Sequence, residues 1–132
     1  HAEFTPRSWP DEALADIEDA ATGELVIDAR GAERFRGESE PIDPKAGHIP
    51  GARSYPMAGN LAEDCRFKTP EELRERFAAV DDAAQVISYC GSGITACHNL
   101  IALEYAGLGR GRLYSGSWSQ YAHTSRPVAT GE

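Results

Sequence analysis

A parallel sheet of about five short strands, covered by helices on both faces, is the α/β fold class this sequence predicts. Three observations carry it. Short runs of strand character, Leu25-Val26-Ile27, Ala52 to Tyr55, Gln85 to Tyr89 and Arg112-Leu113-Tyr114, alternate with stretches of helical periodicity. Single strands separated by helical segments pair in parallel through crossover connections. The 132 residues suffice for one core and are few for two.

The elements follow in order. HAEFTPRSWP (1–10) holds two prolines and two aromatics without periodicity, and reads as an arm lying along a surface. Pro10 to Ala20 reads as a first helix, with Pro10 in its first turn, Asp11 and Glu12 at the positive dipole end, and Leu14 and Ile17 on one face. Residues 1–20 are thus expected to be arm and first helix, and residues 21–132 the domain proper. After the Leu25-Val26-Ile27 strand, Ala32 to Phe35 fits a short helix. Pro41, Pro44, Gly47, Pro50 and Gly51 then mark a structured loop. The Ala52 to Tyr55 strand leads into a turn or short helix around Met57 to Leu61. Thr69-Pro70-Glu71-Glu72 is a capping box with proline in the first turn, and Leu73, Phe77 and Val80 follow at core-facing spacing. Gly116 to His123, with Trp118 and Tyr121, reads as a last short helix or turn.

The chemistry concentrates in Tyr89-Cys90-Gly91-Ser92-Gly93-Ile94-Thr95-Ala96-Cys97-His98. Gln85 to Tyr89 is an apolar strand, and Ile94 to Tyr105 carries a helix pattern that stops at Gly107. Cys90 therefore falls in a Gly-rich turn that opens a helix. Two glycines let several backbone N–H groups turn inward, and a helix start adds free donors and its positive dipole end, which favour a thiolate over a thiol. The blander reading is a buried structural cysteine in an ordinary strand-to-helix turn. Carboxyl ends of strands are where parallel sheets place their sites, and Asp28, Arg30 and Cys90 all fall there.

Composition narrows the function. A formal net charge of −8 disfavours nucleic acid and anionic membrane surfaces as partners. No apolar run approaches the ~20 residues of a membrane span, and nothing resembles a signal peptide. Cys65, Cys90 and Cys97 show neither zinc-site nor disulfide spacing, which suits a reducing, cytoplasmic setting and no bound metal.

Taken together, Leu25-Val26-Ile27-Asp28-Ala29-Arg30, Arg34-Phe35-Arg36-Gly37-Glu38, Glu40-Pro41-Ile42-Asp43, Gly47-His48-Ile49-Pro50-Gly51-Ala52, Cys90 to Ala96 and Leu113-Tyr114-Ser115-Gly116-Ser117-Trp118-Ser119 resemble a rhodanese domain. The match runs over residues 24 to 121, in order and at family spacing. Phe4-Thr5-Pro6-Arg7 is similar to the segment entering the catalytic second half of tandem thiosulfate and 3-mercaptopyruvate sulfurtransferases. The resemblance implies a second domain of a longer polypeptide, with a rhodanese-like domain preceding it. It implies sulfur transfer through a persulfide on Cys90, from a small sulfur-donor anion to cyanide, a thiol or thioredoxin, with no cofactor. Gly91, Ser92, Gly93, Ile94 and Thr95 would cradle the sulfur, the Thr95 hydroxyl serving equally well as a helix cap. In the family, a neutral loop such as Gly91-Ser92-Gly93 goes with 3-mercaptopyruvate and a cationic one with thiosulfate. Arg34 matches one arginine that holds the mercaptopyruvate carboxylate. The second such arginine falls on Asp43, with Lys45 nearby as a substitute.

Asp28 and Arg30 are expected to brace the strand end, and His48 to bond backbone in its loop. Cys97 shares a helical stripe with Ile94, Ile101 and Tyr105 and is expected to be a buried core thiol. Trp118 and Tyr121 are expected to pack over the site or under a neighbouring domain. Two rival readings remain. A cysteine phosphatase or arsenate reductase needs an arginine where Ala96 and Cys97 stand, and a non-catalytic rhodanese module would use the same fold for binding or regulation. In that case the arm and the Trp118 region would form an exposed interface.

Overall fold

A computed structural model describes residues 1–132. Alternation along two central strands sets the layers. In β2 (Leu25–Asp28), Val26 faces one core and Ile27 the other; in β4 (Val86–Tyr89), Ile87 and Tyr89 share the side of Val26 while Val86 shares that of Ile27. With β1 (Leu14–Ala15), β3 (Arg53–Ser54) and β5 (Arg112–Tyr114) they form one parallel sheet in the order β1-β5-β4-β2-β3. The predicted α/β parallel sheet is present.

Helices α1 (Ile17–Thr22), α2 (Ala32–Phe35) and α5 (Ser117–Tyr121) supply Ala20, Phe35, Trp118 and Tyr121 to the first core. The second core takes Leu73 from α3 (Pro70–Arg76), Phe77 and Val80 just beyond it, and Ala102 and Leu103 from α4 (Ala96–Tyr105). Full burial of side chains such as Leu73 and Phe77 contributes about 1.5–3 kcal/mol each. The Thr69–Glu72 capping box forms as read, each side chain bonding the other residue's backbone N–H.

Four local expectations need correction. Pro10 to Ala20 is not one helix: a 3-10 turn (Asp11–Ala13) gives way to β1, and α1 starts only after Asp16. Leu14 and Ala15 are drawn to the sheet edge by pairing with Leu113 and Tyr114, and Asp16 and Asp19 then make a capping box of their own. Long-range pairing overrides the local helical pattern. The strand expected over Ala52 to Tyr55 is confined to Arg53–Ser54, and the helix expected from Ile94 starts at Ala96.

The fourth correction concerns the face that α4 buries. Ile94, Ile101 and Tyr105 are exposed (79 %, 55 % and 54 %), and Cys97 is half-buried. The helix instead turns Ala96, Asn99, Ala102 and Leu103 inward. Alanines allow close approach to the sheet, and Asn99 is held inside by hydrogen bonds to Asn60 and to the Tyr55 carbonyl. Cys97 is therefore not a core thiol. Burial and the neighbouring Cys90 still push its thiol upward, and it donates to the Gly93 carbonyl at 3.5 Å. Residues 1–10 are exposed without regular structure, and no helix is long and apolar enough to cross a membrane.

Candidate active site

The sheet order places the site. The chain leaves β2 toward β3 and leaves β4 toward β5, in opposite directions, so a crevice opens beyond the carboxyl ends of these adjacent central strands. Asp28 pairs with Tyr89 in the ladder, which sets Ala29 and Cys90 side by side. A cavity of about 390 Å³ lies there, lined among others by Arg30, Arg34, Asp43, Met57, Cys90, Ser92 and Thr95.

Cys90 is buried at its base. The Gly93 N–H donates to its Sγ at 3.1 Å. The N–H groups of Gly91, Ser92, Ile94 and Thr95 donate to no acceptor within the chain. Four free donors thus follow the sulfur along the loop, in keeping with the anion-binding geometry of a turn that enters a helix. Gly93 takes φ +90°, and a Cβ there would sit 2.6 Å from the Ser115 carbonyl oxygen, so only glycine fits. Thr95 forms no side-chain cap; it lines the cavity with Ser92. Ile94 points away, to solvent.

The segment after β5 holds the loop from behind. Ser117 Oγ accepts from the Cys90 N–H at 3.1 Å and donates to the Tyr114 carbonyl at 2.9 Å. The Trp118 and Ser119 N–H groups donate to the carbonyls of Cys90 and Gly91. Ser117 accomplishes this from a left-handed backbone, φ 54°. Trp118 itself is fully buried, its Nε1–H donating to the Lys45 carbonyl, and Tyr121 is buried beside it. Both are buried beside the site's floor, so the Trp118 region is not the exposed interface that the binding-module reading would need.

Arg30 braces the floor. Its guanidinium donates to both oxygens of Asp28, at 2.7–3.1 Å, and to the Gly47 carbonyl, and lies 4.8 Å from the Trp118 ring. Burial alone would lower its pKa; the hydrogen bond and charge of Asp28 outweigh this and raise it. Such a buried pair is retained through its full set of bonds. His48 stacks on Phe35, with Nδ1 2.7 Å from the Phe35 carbonyl oxygen, away from the sulfur.

Arg34 lies opposite the cysteine loop. Its Nη2 bonds both Glu40 oxygens at 3.0 and 2.9 Å and Asp43 at 3.5 Å, while Nη1 is 3.2 Å from where a Gly91 Cβ would stand. Desolvation opposes the ionised form of Glu40, but bonds from Arg34 and from the Ile42 and Asp43 N–H groups hold its pKa below the ordinary value. Lys45 does not stand in for a second arginine: its Nζ donates to the Thr124 carbonyl. Its ammonium is thereby committed to the chain's own backbone.

Sequence reasoning missed the opposite wall. Residues 55–60 are clamped by side chains from α3 and α4: Arg76 donates to the Pro56 carbonyl and to Asn60 Oδ1, Asn99 donates to the Tyr55 carbonyl, and Asn60 Nδ2 reaches Asn99 and His98. That clamp sets Met57 and Ala58 against the cavity. The available signals were Asn99 within an apolar helical pattern and Asn60 in a turn; their pairing lies 39 residues apart in the chain.

The fold and site define a class: an α/β domain whose central strand delivers a thiol into a loop of free N–H donors, facing an arginine. Residues 10–124 match the family described as Rhodanese-like domain, and the chain belongs to it. It is 50 % identical over 93 % of its length to a Pseudomonas aeruginosa protein named "Probable 3-mercaptopyruvate sulfurtransferase", covering 47 % of that protein. It is 39 % identical over 77 % of its length to the human 3-mercaptopyruvate sulfurtransferase, covering 36 % of it. Among solved structures, the 3-mercaptopyruvate sulfurtransferase from Leishmania major superposes with a TM-score of 0.74 at 33 % identity, over 87 % of this chain and 34 % of that one. The chain thus spans about half, or less, of the relatives it matches. Ala96 and Cys97 supply no phosphate-binding arginine of the kind a cysteine phosphatase needs.

Proposed function

We propose that this chain is a sulfur-transferring domain that carries a sulfane sulfur on Cys90. The supporting observation is the Cys90 Sγ at the base of an anion-sized cavity, bonded by the Gly93 N–H and followed by free N–H groups. With thiosulfate, the thiolate attacks the outer sulfur, the S–S bond breaks, and its electron pair leaves with sulfite. With 3-mercaptopyruvate, the C–S bond breaks, the thiol proton ends on the methyl carbon, and pyruvate leaves. Both routes give the same Cys90 persulfide anion, whose outer sulfur the loop donors can hold. Cyanide, a thiol or thioredoxin then attacks that sulfur and returns the thiolate.

The neutral Gly91-Ser92-Gly93 loop and the 50 % identical Pseudomonas aeruginosa relative support 3-mercaptopyruvate as donor, while other relatives are named for thiosulfate. Arg34 supplies one cation for its carboxylate, through the Nη1 edge that faces the loop. Asp28, Arg30, His48 and Trp118 act by holding the loop and floor in place. A preceding rhodanese-like domain of the same polypeptide would cover the cavity mouth. The three unpaired cysteines suit a cytoplasmic setting.

Turnover of cyanide to thiocyanate tests the reading. Wild-type protein should form thiocyanate with 3-mercaptopyruvate, and Cys90→Ala should form none while retaining its circular dichroism. Equal rates in the two proteins would exclude Cys90 as the carrier.

A further inference from the structure

We infer that Asp43 sets the charge of the donor: the cavity selects singly charged sulfur donors and turns away dianionic ones. This rests on the sulfur-transfer reading and names its substrate class more narrowly. Asp43 lines the cavity directly, and its side chain is 4 % exposed. The cations available at the site are Arg30 and Arg34. Arg30 is committed to Asp28 and the Gly47 carbonyl, with Glu40 at 3.5 Å. Arg34 faces Glu40 and Asp43 together. Lys45, the next cation along the loop, is bonded to the Thr124 carbonyl.

Two guanidinium groups against Asp28, Glu40 and Asp43 leave these side chains one negative charge in excess. Toward the sulfur the cavity offers neutral N–H donors, and these accept an anion without adding net charge. Arg34 nevertheless keeps one guanidinium nitrogen unspent. Its Nη1 makes no hydrogen bond within the chain and lies against Gly91 at the cavity wall. One carboxylate can therefore be bonded there while the field of Asp43 opposes a second charge. Repulsion scales with the donor's charge, so its effect on a dianion is the square of that on a monoanion in rate terms.

The test compares wild type, Asp43→Asn and Asp43→Glu with thiosulfate and with 3-mercaptopyruvate. Asp43→Asn should raise kcat/KM about tenfold for thiosulfate and about threefold for 3-mercaptopyruvate. Asp43→Glu, which keeps the charge, should retain the wild-type preference. An equal change with both donors, or a loss confined to thiosulfate, would overturn the proposal.

Alkylation of Cys90 gives a readout independent of sulfur transfer. The ratio of the iodoacetate to the iodoacetamide rate should rise about threefold in Asp43→Asn, and should rise with ionic strength in the wild type, where salt screens the like charges. A ratio unmoved by both would refute charge selection even if the variant folds poorly. A ratio that moves as expected, in a protein that loads sulfur from neither donor, would count against the sulfur-transfer reading and leave charge selection standing.

Discussion

Gly93 carries two duties at one position, because its N–H is the donor to Cys90 Sγ and its left-handed backbone lets the loop pass the Ser115 carbonyl. Gly93→Ala should destabilise the domain by roughly 2 kcal/mol or more in urea denaturation, since a left-handed non-glycine residue costs about 1–3 kcal/mol before the clash is counted. Sulfur transfer should fall further than stability alone explains. Ser117 makes the complementary case: Ser117→Ala leaves the Cys90 N–H without its acceptor and should cost about 1–3 kcal/mol. The cysteine loop was legible in the sequence because strand, glycines and helix start are contiguous there. The role of Ser117 was not, since it depends on a residue 27 positions away in the chain.

At the scale of elements, the contrast between α3 and α1 shows what local sequence conveys. Thr69, Pro70 and Glu72 start α3 where the local pattern places it, and nothing distant competes. The first helix is displaced because Leu14 and Ala15 pair with residues almost one hundred positions away, so the strand has no local signature. The clamp on residues 55–60 is likewise assembled from three separate elements. Asn99→Ala removes its bonds to Asn60 and Tyr55 and should cost about 1–3 kcal/mol, with a raised KM as the Met57–Ala58 wall loosens. Burial holds His98 below its ordinary pKa. The unfolded chain then binds the proton first, so stability is complete above about pH 6.5 and is lost as pH falls toward the folded value. His98→Gln should flatten that part of the stability profile between pH 7 and 5, measured by denaturant midpoint.

Across the whole molecule, the exposed stripe of α4 is the feature that the domain by itself leaves uncovered. Ile94, Ile101 and Tyr105 face solvent on the side where Trp9, Ile101 and Leu100 line an apolar groove. Helical spacing grouped these residues correctly and assigned them to the wrong side, because periodicity identifies a stripe without saying what lies against it. Concentration-dependent association in sedimentation velocity is the expected outcome, reduced by Ile101→Glu. Four of the five strands were legible, since single strands alternating with helices admit few other architectures, and only the edge strand β1 escaped. All of this structure converges on one sulfur atom, and intact mass spectrometry interrogates it directly. After incubation with 3-mercaptopyruvate the wild-type protein should gain the mass of one sulfur, cyanide should remove it, and Cys90→Ala should show no gain. A folded wild-type protein that gains no sulfur from 3-mercaptopyruvate or from thiosulfate, or a Cys90→Ala protein that gains it equally, would contradict the assignment of Cys90 as the sulfur carrier.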